Sequence, residues 1–209
     1  MNITEILFWN VDTQIDFVES DGKLYVPGAE ILKSIWNKIT KLAKEKNIRV
    51  VNTADFHYPN SAELSETPDF IKTFPEHCMA NTIGADFIAE TTPENPVVFD
   101  WNKEYLSIDE VRTNRNVVIK KDAFNVFVGN PYTEEIVKIL NPKTVFVYGV
   151  TTNVCVNDAV VGLAKRVPKV IVMEDAIKEL PNIPLPFENW KELGVEIVNF
   201  EEVTDILKQ

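Results

Sequence analysis

The chain has 209 residues, of which 45% are hydrophobic, 25% charged and 10% aromatic, a globular composition that excludes collagenous, mucin-like and disordered chains. A fold of this length buries roughly 70% of the surface its unfolded chain exposes, so a single domain over 1–209 is expected. Twenty-one basic residues against 32 acidic ones leave a net charge of −11, and such a surface repels phosphate backbones and anionic lipid, which argues against nucleic-acid and membrane partners.

The first five residues, Met1 to Glu5, carry no basic leader, and no apolar run approaches the roughly 20 residues a bilayer needs. A cytoplasmic protein is expected. Two cysteines, Cys78 and Cys155, are too few for a disulfide framework and read as free thiols. With two histidines in the chain, His57 and His77, any chemistry that needs imidazole must use them.

Taken in chain order, the first element is the apolar run 6–11, a strand, followed by a helix whose stripe is Ile31, Leu32, Ile35, Trp36, Ile39, Leu42 and Ala43, with lysines on the other face. Strands follow at 48–51, 96–99 and 117–119, and a helix at Pro131 to Leu140, with Pro131 suited to the first turn. A strand at 144–148, a helix over about Asn153 to Lys165, strands at 169–173 and 195–198 and a helix from Glu201 to Lys208 complete the set. Continuous apolar strands alternating with amphipathic helices predict a parallel sheet covered on both faces, an α/β fold with three layers, with ligands at the carboxyl ends of the strands. Two stretches are read as irregular: the polar Tyr58 to Pro75, and Leu180 to Phe187 with its three prolines.

Chemistry concentrates where the strands run out. Asp12 and Asp16 follow the first strand, and each could equally be a turn-forming aspartate. Asp55 and His57 follow the second strand two residues apart, so an extended backbone projects them to the same side. With His77 from a later loop they suit a divalent metal, three ligands leaving open positions for water or substrate; a surface-exposed histidine is the bland alternative. Lys120 and Lys121 end the 117–119 strand, either as a solvated edge or as a cation for a thiolate or developing negative charge. The strongest local signal is the run from Gly149 to Ala159. Thr152 or Asn153 would cap a helix with Cys155 in its first turn, where free N–H groups and the helix dipole lower a thiol's pKa and bind an oxyanion; the alternative is an inert, buried cysteine.

In this order the segments resemble the isochorismatase-like cysteine hydrolases, and among them the nicotinamidase/pyrazinamidase family, over nearly the whole chain. Asp12-Thr13-Gln14-Ile15-Asp16-Phe17 resembles the family's opening Asp-Val-Gln-Asn-Asp-Phe, Lys121 precedes Phe124-Asn125-Val126-Phe127 as the family's lysine precedes Tyr-Ser-Ala-Phe, and Gly149 to Val156 resembles its nucleophile turn. The resemblance implies a three-layer α/β/α sandwich with a mostly parallel six-stranded sheet and an Asp12–Lys121–Cys155 triad. It further implies an oxyanion hole from the N–H groups of Thr151 and Cys155 behind a cis peptide, and a zinc, iron or manganese site from Asp55, His57 and His77. Phe17 and Phe74 would sandwich an aromatic ring, with Phe124 as a further wall, and Glu63 or Glu66 are candidates for a fourth ligand. The implied reaction is the hydrolysis of nicotinamide to nicotinate and ammonia through a thioester, in a homo-oligomer acting on a small amide. A metal-free relative acting on another amide or a vinyl ether, and a catalytically idle binding module, are the alternatives. Asn125-Val126 and the segment from Leu180 to Phe187 depart from the family pattern.

Overall fold

The computed structural model describes residues 3–208; Met1 and Asn2, at the head of the stretch read for a leader, lie outside it. Among the described residues, seven strands form one sheet: β1 (Ile6–Val11), β2 (Arg49–Asp55), β3 (Val97–Asp100), β4 (Asn116–Lys121), β5 (Thr144–Val150), β6 (Lys169–Lys178) and β7 (Glu196–Val198). Their spatial order is β3-β4-β2-β1-β5-β6-β7, and every pairing is parallel. The six-stranded sheet implied by the resemblance is thus exceeded by one strand, the three-residue β7, which pairs with β6 at the edge.

The helices are α1 (Ile15–Val18), α2 (Lys33–Glu45), α3 (Val126–Gly129), α4 (Thr133–Leu140), α5 (Cys155–Ala164), α6 (Phe187–Glu192) and α7 (Phe200–Ile206). The sheet divides the core in two because successive strand residues face opposite ways. Leu7, Trp9 and Val11 of β1 join α3, α4, α5 and α6 on one side; Ile6 and Phe8 join α1, α2 and α7 on the other. In α2, Trp36, Ile39 and Ala43 are fully buried, and Trp36 donates its indole N–H to the Ala176 carbonyl at 2.9 Å. Burying each such large apolar side chain stabilises the fold by about 1.5–3 kcal/mol.

Three local expectations are corrected. Ile31 does not share the buried stripe: it is 75% exposed on a 3-10 turn, because α2 begins two residues later. Pro131 lies ahead of α4, which starts at Thr133; the Asn130 side chain accepts from Tyr132 N–H instead, a local turn that delays the helix. Neither Thr152 nor Asn153 caps α5, whose N-cap is Val154 with no side-chain bond. Asn153 instead donates to the carbonyls of Leu180 and Ile183 and accepts from Leu180 N–H at 2.8–3.0 Å, and so pins the proline-rich segment to the turn that carries Cys155.

Candidate active site

The chain runs from β1 outward to one side of the sheet and resumes with β5 on the other, which places a crevice at the carboxyl ends of β1 and β5. Asp12 follows β1, Asp55 ends β2, Lys121 ends β4 and Cys155 opens the helix after β5. Asp55 and Lys121 are partners in the β2–β4 register, so regular strand pairing alone brings that ion pair together. Cys155 is brought close by two tight contacts. A Cβ at Gly149, whose φ is +122°, would run into the Val11 backbone, and one at Gly162 would overlap the Phe127 ring that stacks on Trp9. Only glycine allows β5 to approach β1, and α5 to approach α3, this closely.

Lys121 is the hub. It is 1% exposed, with its Nζ 3.0 Å from Asp12 Oδ2, hydrogen-bonded to Asp55 Oδ1 and 3.9 Å from Cys155 Sγ. The carboxylates of Asp12 and Asp55 and the Cys155 sulfur all lie within 4.8 Å of one another. Burial disfavours the lysine's charge, but the surrounding Asp12, Asp55, Cys155 and Glu63 prevail and hold its pKa well above the ordinary value. Burial pushes Asp12 up, against the pull of Lys121 and of the Thr53 hydroxyl, which donates to Asp12 Oδ1 at 2.6 Å. The thiol departs from the sequence expectation. Burial, with Asp12, Asp55 and Glu63 adding to it, pushes Cys155 well above its ordinary value, and Lys121 alone opposes them. A helix start favours thiolate by a partial charge; here burial and the neighbouring acidic groups act in the opposite direction.

The turn after β5 contains a cis peptide between Val150 and Thr151. The N–H groups of Val154 and Val156 both donate to the Thr151 carbonyl, at 3.1 and 3.0 Å, while the Cys155 N–H between them makes no such bond.

Beside this cluster stand two imidazoles, their rings 4.7 Å apart. His57 Nδ1 lies 3.0 Å from Asp122 Oδ1, and His77 Nδ1 donates to the Pro75 carbonyl at 2.7 Å. With each Nδ1 carrying the proton, both Nε2 lone pairs are free, the tautomer a metal ligand requires. The Nε2 atoms of His57 and His77 sit 4.0 and 3.8 Å from Asp55 Oδ2. Glu63 arrives from the long loop, 7% exposed, with Oε2 3.8 Å from His57 Nε2 and its other oxygen accepting from Phe124 N–H. His57 Nε2 and Glu63 Oε2 are both buried without a hydrogen-bond partner. Burial drives the His57 pKa down, keeping the ring neutral, and drives Glu63 up to about 8, with Asp55 adding repulsion; Asp55 itself stays below the usual carboxylate range because Lys121 and the histidines overcome its burial. Ligand atoms of Asp55, His57 and His77 lie within 4.8 Å of one another, with the orphaned His57 Nε2 among them and the orphaned Glu63 Oε2 beside it, a donor set that fits a divalent cation of borderline softness. Glu66, by contrast, is exposed.

An Isochorismatase domain model matches residues 104–192. A nicotinamidase/pyrazinamidase of Mycobacterium tuberculosis is 36% identical over 77 residues, a stretch that covers 37% of this chain and 40% of that relative. The pyrazinamidase of Pyrococcus horikoshii, solved in complex with zinc, superposes with a TM-score of 0.73 at 27% identity, over 94% of this chain and 99% of that one. An N-carbamoylsarcosine amidase of Thermoplasma acidophilum shares the fold at 21% identity, with a TM-score of 0.71 over 93% of this chain and 96% of its own. Residues 104–192 carry the isochorismatase pattern, and the comparisons support a hydrolase.

In this hydrolase the aromatic residues named from the sequence do gather at the site. Phe17 and Phe74 each lie against the His77 ring, at centroid distances of 5.5 and 6.3 Å, and Phe124 meets Phe74 edge-on at 5.4 Å. Sequence reasoning missed the residues that hold the site in place. Gln14 clamps Asp55, accepting from its N–H and donating to its carbonyl, both at 2.7 Å. Asp16, which read as a turn former, accepts from Cys78 N–H at 2.7 Å and so anchors the His77 loop; Gly84 is bare because a side chain there would collide with that carboxylate. Asp122 orients His57 and is itself bonded by Ser61. Their one signal in the sequence was proximity to Asp12, Lys121 and His57.

Proposed function

We propose that this hydrolase is a nicotinamidase: it converts nicotinamide to nicotinate and ammonia through a thioester on Cys155. The observation that carries the reading is the position of Lys121 Nζ, shared by Asp12, Asp55 and Cys155, directly beside the orphaned Nε2 of His57 and Oε2 of Glu63.

Asp12 acts first as base. Its raised pKa suits a carboxylate that must accept the thiol proton and later return it. As the proton passes from Cys155 Sγ to Asp12, the sulfur bonds to the carboxamide carbon, and Lys121 balances the charge left on the pair. The tetrahedral oxygen is received by the N–H groups of Thr151 and Cys155; losing one such donor typically costs ~3 kcal/mol in the barrier. Protonated Asp12 then gives its proton to the departing nitrogen, the C–N bond breaks and ammonia leaves. The same carboxylate takes a proton from water, the hydroxyl adds to the thioester carbon, and collapse releases nicotinate and returns the proton to the sulfur. Phe17, Phe74 and Phe124 orient the ring, converting attack into an effectively intramolecular step. Asp55, His57 and His77, joined by Glu63, would hold a divalent cation, with zinc favoured over iron or manganese by the donor set, whose Lewis acidity supplies a binding point for the pyridine nitrogen.

Ammonia release on adding nicotinamide, with and without chelator, tests the reading. One ammonia per nicotinate, lost on chelation and restored by zinc, is expected. No ammonia from nicotinamide overturns the substrate, and full activity at zero metal content assigns the protein to metal-free amide hydrolysis.

A further inference from the structure

Next to the site lies a second concavity that the proposed reaction does not use. It is a cleft of about 380 Å3 between the tip of the long loop, Phe70 and Ile71, and the proline-rich segment, Leu180, Pro181 and Ile183, with Phe74 as the shared wall. Its volume falls within the range of ligand sites. Among the residues that line it none is charged, on a chain of net charge −11. Phe70 and Ile71 are 56% and 75% exposed, an apolar rim without a covering element among the described residues.

Both walls are tied to the catalytic cluster. Phe70 packs edge-on against Phe74 at 6.1 Å, and Phe74 continues to Phe124 and His77, so one aromatic row runs from the surface to the site. Phe74 N–H donates to the Glu63 carbonyl at 2.7 Å, which couples that wall to the residue facing His57. The opposite wall hangs from Asn153, two positions before Cys155, through its three hydrogen bonds to Leu180 and Ile183. A surface opening with charge-free walls fixed to both halves of the active site selects one kind of occupant, the uncharged apolar part of the substrate itself.

We propose that this cleft is an extension of the substrate site, and that the hydrolase accepts aromatic carboxamides carrying an apolar substituent, which the cleft buries. The inference rests on the amidase reading above and names its substrate class more narrowly. Burying one methylene changes affinity by about fourfold, so the slope of activity against substituent length is the readout.

The experiment measures kcat/KM for nicotinamide and for pyridine-3-carboxamides bearing ring methyl, ethyl, propyl and butyl groups, in the wild type and in the double variant Ile71→Ser/Ile183→Ser. In parallel, affinity for the same series is measured by NMR titration of Cys155→Ala, alone and combined with the two serine substitutions. A rise of about two- to fourfold per methylene in the wild type, flattened in the serine variants in both measurements, is the expected result. Slopes that are flat or falling in the wild type while nicotinamide itself is turned over overturn the cleft assignment and leave the amidase reading standing. Absence of nicotinamide turnover defeats that reading, and the titration slope then decides the cleft by itself. A flat slope with mass doubling in light scattering, abolished by the serine pair, would assign the rim to a second copy of the chain and also overturns the proposal.

Discussion

The turn that carries Cys155 and the corner that gathers Asp55, His57, Glu63 and His77, the proposed nucleophile turn and metal corner, are built in opposite ways. The turn from Gly149 to Cys155 joins a fully buried strand directly to a helix, and its geometry is dictated by contacts one residue deep: Gly149 on Val11, Gly162 on Phe127. The metal corner draws Asp55 from a strand end but His57, Glu63 and His77 from the stretch between β2 and β3, where regular structure is nearly absent among the described residues. There, hydrogen bonds replace the ladder: Gln14 on Asp55, Asp122 on His57, Asp16 on Cys78. The lesson is that a nucleophile needs one accurately placed atom, which a strand–turn–helix supplies, whereas a cation needs several donors from different directions, which only a folded loop supplies.

Substitutions should separate the two halves. Cys155→Ala removes the proposed nucleophile and should lower turnover by on the order of 10^4-fold or more, with metal content and thermal unfolding unchanged; activity near that of the wild type would reject Cys155. His57→Ala should strip the corner of metal and weaken substrate binding with it, and Asp122→Ala, which frees the ring without removing it, should cost roughly 10–100-fold in metal affinity by competition titration. Metal content unaltered in His57→Ala would remove that residue from the ligand set.

Thr53→Val probes the base. The Thr53 hydroxyl favours the ionised form of Asp12, so its loss raises the pKa of Asp12; because the cycle needs the carboxylate free, the acid limb of the kcat/KM profile should move to higher pH. A limb that stays put or moves to lower pH would separate Asp12 from that ionisation. Smallest is Asn153→Ala, which unties the proline-rich segment from the turn. Leaving those carbonyls and an N–H without their partner should cost about 1–3 kcal/mol, read as a lowered Tm, while the metal corner keeps its affinity.

Much of the site was visible along the chain because strand ends are conspicuous. Asp12, Asp55, Lys121 and Cys155 each stand where an apolar run stops, and a parallel sheet gathers such ends on one edge. Glu63 was not separable from Glu66, since both sit in polar loop and only burial distinguishes them. Gln14 and Asp16 had no periodicity to betray them, their partners lying 41 and 62 positions away. The helix start at Cys155 is local and readable, whereas the acidic groups that raise the thiol's pKa come from other elements.

By itself the amino-acid order determined the alternation of strand and helix, the parallel sheet and which polar residues stand at the strand ends, because hydrophobic period and turn residues act over neighbours in the chain. The packing of strands against one another decided the rest: which carboxylates face Lys121, which glutamate turns inward, and that the sulfur is buried beside them. Those properties depend on desolvation and on charges contributed by distant segments, and neither exists until the chain has closed around them.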